Sequence, residues 1–565
     1  MRKSLVFCLG MVLATLLCAA LWADPPASER RNAALAASIR LPAAAFAAME
    51  TINPDHIRQH VRFLSHDLLE GRGTGQRGGD IAAEYIATQF ALYGLKPAGD
   101  NGTYMQKVPL VGVTPSTETR FWFVPAQGSA MDLKPLDDYV AYDQTQQPMS
   151  DVDAEIVYVG YGIEAPEYNW DDYKGTDVRG KVLLMLVNEP TNDPKIFKGP
   201  ALTYYGRWTY KYEEAARKGA VGAILVHKTD MASYPWDEVR NSNSGEKSFL
   251  KLEGQPQLKV ASWIQLSVAE KLAKAAGMDL TKMMTAAQSR DFKPVELPIK
   301  LKAHMVSKIR PFESNNVLAM VPGSDRKLND EAIMYTAHYD HLGIRPEMPG
   351  DNIYNGADDN ATGCGILLEL ARAYGQSAQK PRRSVIFASV TAEEQGLLGS
   401  EYLGKHPPIP AGKISLDLNY DDVKPLGAPE EVEVSGAERT SFYPMVQATA
   451  REFRLNIRPD ARPEAGHYYR SDHFSLARVG IPSFSINEGM KFKGHTEAWG
   501  LEQDREYTEK HYHQPSDEYH PNMDFIGDSA LARFGFALGW EAAGLPKLIQ
   551  WQKGDEFEAA RLKSE

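Results

Sequence analysis

Apolar positions follow three different spacings along this chain. From residue 52, INPDHIRQHVRFLSHDLLEG places Ile57, Val61, Leu64 and Leu68 at helical intervals, with Asn53 or Asp55 available as the N-terminal cap. The glycine-dense GRGTGQRGG (Gly71 to Gly79) reads as a turn feeding a second helix, DIAAEYIATQFALYG, which Gly94 stops. A phosphate loop finds no support there, because no lysine–hydroxyl pair follows and no strong strand precedes it. Between about residues 118 and 302 the β-branched and aliphatic runs AEIVYVGYGI and GKVLLMLVNEP predict strands, and YKYEEAARKGAVGAILVHK predicts a helix, a glycine turn and a strand. After about Ser307 the pattern alternates: EAIMYTAH, RRSVIFASVTAEE, KISLDL and IPSFSIN as strands, with ATGCGILLELARAYG as a helix between the first two. Such alternation predicts an α/β fold, a mostly parallel mixed sheet flanked by helices, with its chemistry beyond the carboxyl ends of the strands.

Composition refines this picture in a few places. A chain of 565 residues exceeds one ordinary core, and 43% apolar with 24% charged residues is the balance of a soluble globular protein. At the start, Arg2 and Lys3 precede an uncharged apolar run and then ADPPASE, the layout of a secretory signal peptide ending at Ala20 or Ala23. Removal of that segment takes Cys8 and Cys18 with it and leaves Cys364 alone, so no internal disulfide is expected. Export without disulfides suits a bacterial periplasmic or secreted enzyme with no stable membrane insertion after processing. The net charge of -12 argues against nucleic acid as a partner.

Candidate chemistry gathers at the predicted strand ends. His338 and Asp340 close the first strand in YTAHYDHLGI, and Asp358 and Asp359 sit in NGADDNATG before a helix. Glu393 and Glu394 follow the RRSVIFASV strand, Asp417 closes KISLDL, and HYHQPSDEY brings His511, His513 and Asp517. Singly, each has an ordinary structural explanation as a cap, a turn or a loop residue. Jointly they would converge on one edge of the sheet, where the carboxylates repel unless a divalent cation binds; imidazole with carboxylate is a ligand set suited to zinc.

In this order the motifs HxD, GADDNxxG, EExGLxGS, LDL and a late YH resemble the double-zinc exopeptidases of the MH clan. That group includes bacterial zinc aminopeptidases and glutamate carboxypeptidase II, with glutaminyl cyclase as a relative. VGYGI, VRGKVLLM and AARKGAVGAILV are similar to the protease-associated domain that such enzymes often carry. The residues place a signal peptide at 1–23, a linker at 24–49 and a tail at 551–565; the resemblance, over most of Asn53 to Gly544, implies a peptidase domain over 50–117 and 303–550 and an inserted protease-associated domain at 118–302. It implies two zinc ions, one held by His338 and Asp417, the other by Glu394 and His513, with Asp359 bridging them. It further implies a cis peptide after Asp359, Glu393 as general base, Asp340 orienting His338, and Tyr512 or Tyr468 as oxyanion donor. His341 has no matching role and is expected to be a loop residue. The activity implied is removal of N-terminal residues from peptides, with a carboxypeptidase on the same metal centre or a glutaminyl-cyclase-like acyltransferase as alternatives.

Overall fold

The computed structural model describes residues 41–564 apart from 192, 194, 200 and 347. The signal-peptide expectation lies outside the described residues. No helix among the described residues is long and apolar enough to cross a membrane.

Helix α1 (Pro54–Leu64) starts as its sequence dictates: the Asn53 side chain accepts from the Asp55 amide, and Pro54 occupies the first turn. It is shorter than its apolar spacing predicts, ending at Leu64 and leaving Leu68 73% exposed. Helix α2 (Arg77–Leu92) follows. Strands β1 (Met105–Pro115), β2 (Met149–Tyr158), β3 (Val182–Leu186), β4 (Gly222–His227) and β5 (Val260–Gln265) precede a long strand, β6 (Val295–Val321). Then come β7 (Ala332–His338), helix α3 (Gly363–Gln376), β8 (Ser384–Val390), β9 (Ile414–Asn419), β10 (Ser483–Ser485), helix α4 (Glu497–Lys510) and helix α5 (Ile526–Gly544).

Hydrogen bonding orders the strands β10-β9-β7-β8-β6-β2-β3-β4-β5. Those from β7 to β10 are mutually parallel, as are β2 to β5, and β6 runs antiparallel to both groups. Its last residues, Val317–Val321, pair with β8, while Val295–Val306 pair with β2. At a strand rise of about 3.3 Å per residue its 27 residues measure roughly 90 Å along the chain.

Both faces of the β7–β9 region are buried, which explains its nearly continuous apolar runs. Ile333, Tyr335, Phe387 and Leu418 pack with α1, α2, α3 and α5 in one core; Ala332, Met334, Ile386 and Ala388 fill another on the opposite face. Two further cores draw only on residues 121–305, with Leu184 and Ile224 in one and Leu183 and Leu225 in the other. Two segments are more ordered than the sequence predicts. Ala43–Glu50, expected as linker, is a helix that buries Ala45 and Met49, and the expected tail buries Trp551, Phe557 and Arg561.

Candidate metal centre

Parallel pairing builds the first half of the site. In the register of β7 with β9, Thr336 lies opposite Asn419, so two residues further on His338 and Asp421 emerge side by side. His338 Nε2 is 2.9 Å from Asp421 Oδ1 and 3.3 Å from Asp359 Oδ1. Asp359 arrives on the loop that leads into α3, where the Asp359–Asn360 peptide is cis. That loop is held by Asp517, whose carboxylate accepts from the Asp358 and Asp359 amides at 2.9 and 3.1 Å.

The other half forms beyond β8 and α4. Past Val390 the chain turns through Ala392 at φ 55 and delivers Glu393 and Glu394. After α4 the chain brings His513, whose Nε2 is 3.3 Å from Asp359 Oδ2 and 3.2 Å from Glu394 Oε2. The two oxygens of Asp359 thus face different neighbours, Oδ1 toward His338 and Oδ2 toward His513. His341 is also here, fully buried, with Nδ1 2.6 Å from Glu394 Oε1.

Electrostatics follow from this crowding. Burial alone would lower His338, but Asp421, Glu393 and Asp359 hold it well above its ordinary value. Burial likewise opposes the shift of His513, which Glu394 and Asp359 raise to about 11. Against its burial, Glu394 is drawn down to about 2 by His513 and His341. Glu393 goes the other way: burial, reinforced by Asp421 and Glu394, pushes it well above the usual carboxylate range. Two sets of donor atoms lie within 4.8 Å of one another in a form that fits a cation: His338, Asp359 and Asp421, and His341, Asp359 and Glu394. Both His341 ring nitrogens and Glu394 Oε1 are buried without a hydrogen-bond partner. Converging carboxylates and orphaned donors both fit divalent ions, and the donor chemistry fits zinc.

Of the residues predicted from sequence, His338, Asp359, Glu394 and His513 come together, with Glu393 beside them. Asp417 does not join them. It lies inside β9 and accepts from Thr336 Oγ1 at 3.1 Å, so the acid that meets His338 is Asp421, four residues on and past the strand end. Tyr468 is also removed from the site: it is buried in an aromatic cluster and its hydroxyl donates to the Ser483 carbonyl at 3.1 Å. Tyr512 stacks on His513 with ring centroids 3.9 Å apart. Asp340 acts differently from the expectation. His338 Nδ1 is 3.2 Å from the Asp340 carbonyl oxygen and 3.8 Å from its carboxylate, which instead accepts from Thr74 Oγ1 and the Glu393 amide.

Sequence reasoning missed Asp421, His341 and Arg72. Arg72 is fully buried and donates to the carbonyls of Leu64, Tyr339, Asn355 and Gly356 at 2.5–2.8 Å. The glycine-dense turn therefore serves to carry Arg72 and Thr74 under the metal loops. Gly71 is needed there: at φ +66, a Cβ would lie 2.5 Å from the carbonyl oxygens of Gly343 and Tyr354. Asp421 is the first acid outside the wholly buried run ISLDLNY, a boundary that only the structure supplies.

Residues 316–535 match Peptidase family M28. The chain is similar to leupeptin-inactivating enzyme 1 of Streptomyces exfoliatus, 27% identical over 214 residues, 37% of this chain and 46% of that protein. It is also similar to aminopeptidase NAALADL1 of Mus musculus, 32% identical over 135 residues, 22% of this chain and 16% of that one. The chain thus spans less than half the length of either curated relative. Among solved structures, an aminopeptidase from Aneurinibacillus sp. strain AM-1 aligns over 88% of this chain and 96% of its own at 19% identity and a TM-score of 0.48. The clustered His338, Asp359, Glu394, Asp421 and His513 all lie within the segment 316–535 that matches Peptidase family M28.

Proposed function

We propose that the protein is a zinc-dependent exopeptidase, an aminopeptidase that releases N-terminal residues from peptides. The observation that supports this most is the division of Asp359, whose Oδ1 and Oδ2 each stand 3.3 Å from a different imidazole. One carboxylate shared in this way is suited to bridging two ions. His338 and Asp421 would hold one ion with Asp359 Oδ1, and Glu394 and His513 the other with Oδ2. When bound, such a pair of ions supplies Lewis acidity toward the scissile carbonyl and acidifies the attacking water.

Glu393 is the general base in this reading. Its backbone amide donates to Asp340 Oδ1 at 3.1 Å, which fixes the residue beside the ligands, and it passes the water's proton to the leaving amine. Asp340 is a positioning residue that ties Glu393 and Thr74 to the His338 loop. Tyr512 is the oxyanion donor, since it stands against His513. Residues 118–302 act as an inserted protease-associated domain, and the basic and apolar start of the chain directs export to the periplasm or beyond.

A substrate panel tests the reading. The purified protein should hydrolyse aminoacyl chromogenic substrates, lose activity to a chelator and regain it with zinc. Cleavage confined to substrates with a blocked amino terminus and a free carboxylate would overturn the aminopeptidase assignment in favour of a carboxypeptidase. Activity that survives exhaustive chelation would overturn the metal assignment.

A further inference from the structure

Three imidazoles face the acidic cluster, and the ligand set above uses only two. His341 is completely buried, with Nδ1 2.6 Å from Glu394 Oε1 and 3.9 Å from Asp359 Oδ2. Its ring lies at 69° to that of His513, centroids 5.8 Å apart. Despite the short separation, neither ring nitrogen of His341 nor Glu394 Oε1 makes a hydrogen bond. Two polar atoms that touch without aligning on each other are oriented as two ligands of a third body are.

The surroundings hold the ring in this place. The His341 amide donates to the Arg72 carbonyl at 3.3 Å, and the residue forms a parallel bridge with Gly73. On its other side the ring presses on Gly356, where an added Cβ would come within 2.6 Å of His341 Cγ. The loop leading to Asp359 is therefore shaped around this imidazole.

We infer that His341 is a further protein ligand of the cation position formed by Glu394, His513 and Asp359 Oδ2. This rests on the metal reading above and makes the two positions unequal. One has a single imidazole, His338, with Asp421 and Asp359 Oδ1; the other has two, His341 and His513, with Glu394 and Asp359 Oδ2. Imidazole nitrogen suits zinc and cobalt, and the second position offers one more imidazole and one more ligand than the first, so it fills first.

The test uses the full protein stripped of metal and titrated with Zn2+ or Co2+ against a chromophoric chelator. Wild type should show two binding events of different affinity. His341→Ala should weaken the tighter event at least tenfold and leave the weaker one unchanged, whereas His338→Ala should do the reverse. Two events of unaltered affinity in folded His341→Ala would overturn the inference and leave the metal reading standing. No metal binding by wild type would overturn both. A measurement on wild type alone guards against a variant that fails to fold: X-ray absorption at one equivalent of Co2+ should count two imidazoles per ion, and a count of one overturns the inference.

Discussion

Arg72 offers the strongest test of how the metal loops are built. Arg72→Met keeps an apolar stem but removes donors to four backbone carbonyls, those of Leu64, Tyr339, Asn355 and Gly356. Leaving a buried acceptor unpaired costs about 1–3 kcal/mol; the Gly356 carbonyl keeps the Ala361 amide, so the other three set a range of about 3–9 kcal/mol. Against this, the variant no longer buries a guanidinium, a relief of several kcal/mol. The balance is a loss of about 2–4 kcal/mol, in the range of substitutions that leave buried polar groups unsatisfied. Tyr339 adjoins His338, and Gly356 lies on the loop that carries Asp359, so the damage falls on residues proposed to hold the metal. Urea unfolding followed by tryptophan fluorescence, with zinc content measured after dialysis, checks both consequences. Arg72→Lys should fall between the two proteins, because it retains charge but cannot span four acceptors. Unfolding within about 0.5 kcal/mol of wild type, the range of a surface substitution, together with undiminished zinc retention would refute the reasoning.

The remaining predictions concern roles and pH. Asp421→Asn should lower zinc stoichiometry on metal analysis, while Asp417→Asn should leave it intact and act only through the lost Thr336 contact. Glu393→Gln should retain metal yet lower kcat by about 10²–10⁴-fold in a chromogenic assay. Burial lowers His60 from 6.5 to about 4, so the folded protein resists protonating it. The unfolded chain binds that proton first, hence this contribution is present above pH 6.5 and is lost as pH falls toward 4. The difference amounts to about 3 kcal/mol, and His60→Gln should flatten that part of the stability profile in denaturation measured from pH 7 to 4. If the variant and wild type lose stability in parallel, the assignment to His60 is wrong.

The strands were legible because apolar runs buried on both faces have few alternatives: EAIMYTAH became β7 almost residue for residue. The same runs put His338 at the end of β7 and Glu394 four residues past β8, on one edge of the sheet. Asp421 was harder, because choosing among the acids of LDLNYDD requires knowing where β9 ends and how it registers against β7. His341 looked like a loop residue since nothing in local spacing tells whether a side chain after a strand turns inward. Arg72 lies 267 positions from Tyr339, whose carbonyl it holds, and no pattern within a segment reports such a contact. What escaped the sequence is therefore the set of contacts made between segments, by residues whose own neighbourhoods are unremarkable in pattern.

The register of β6 against β1 has a topological consequence. Pro115, where the chain leaves β1, lies directly opposite Ser307, where it has returned along β6. Antiparallel neighbours at such a point can be joined by a two-residue turn such as Asn-Gly. Everything from residue 116 to 306 is thus spliced into what is locally the tip of a β-hairpin. A shortened chain with that turn would keep the ladder from Ser307 to Val317, while losing the edge strand Lys247–Leu250 that covers β1. The exposed edge of β1 would then be the new feature of the shortened protein, a row of backbone donors and acceptors open to pairing with an extended peptide or a second chain.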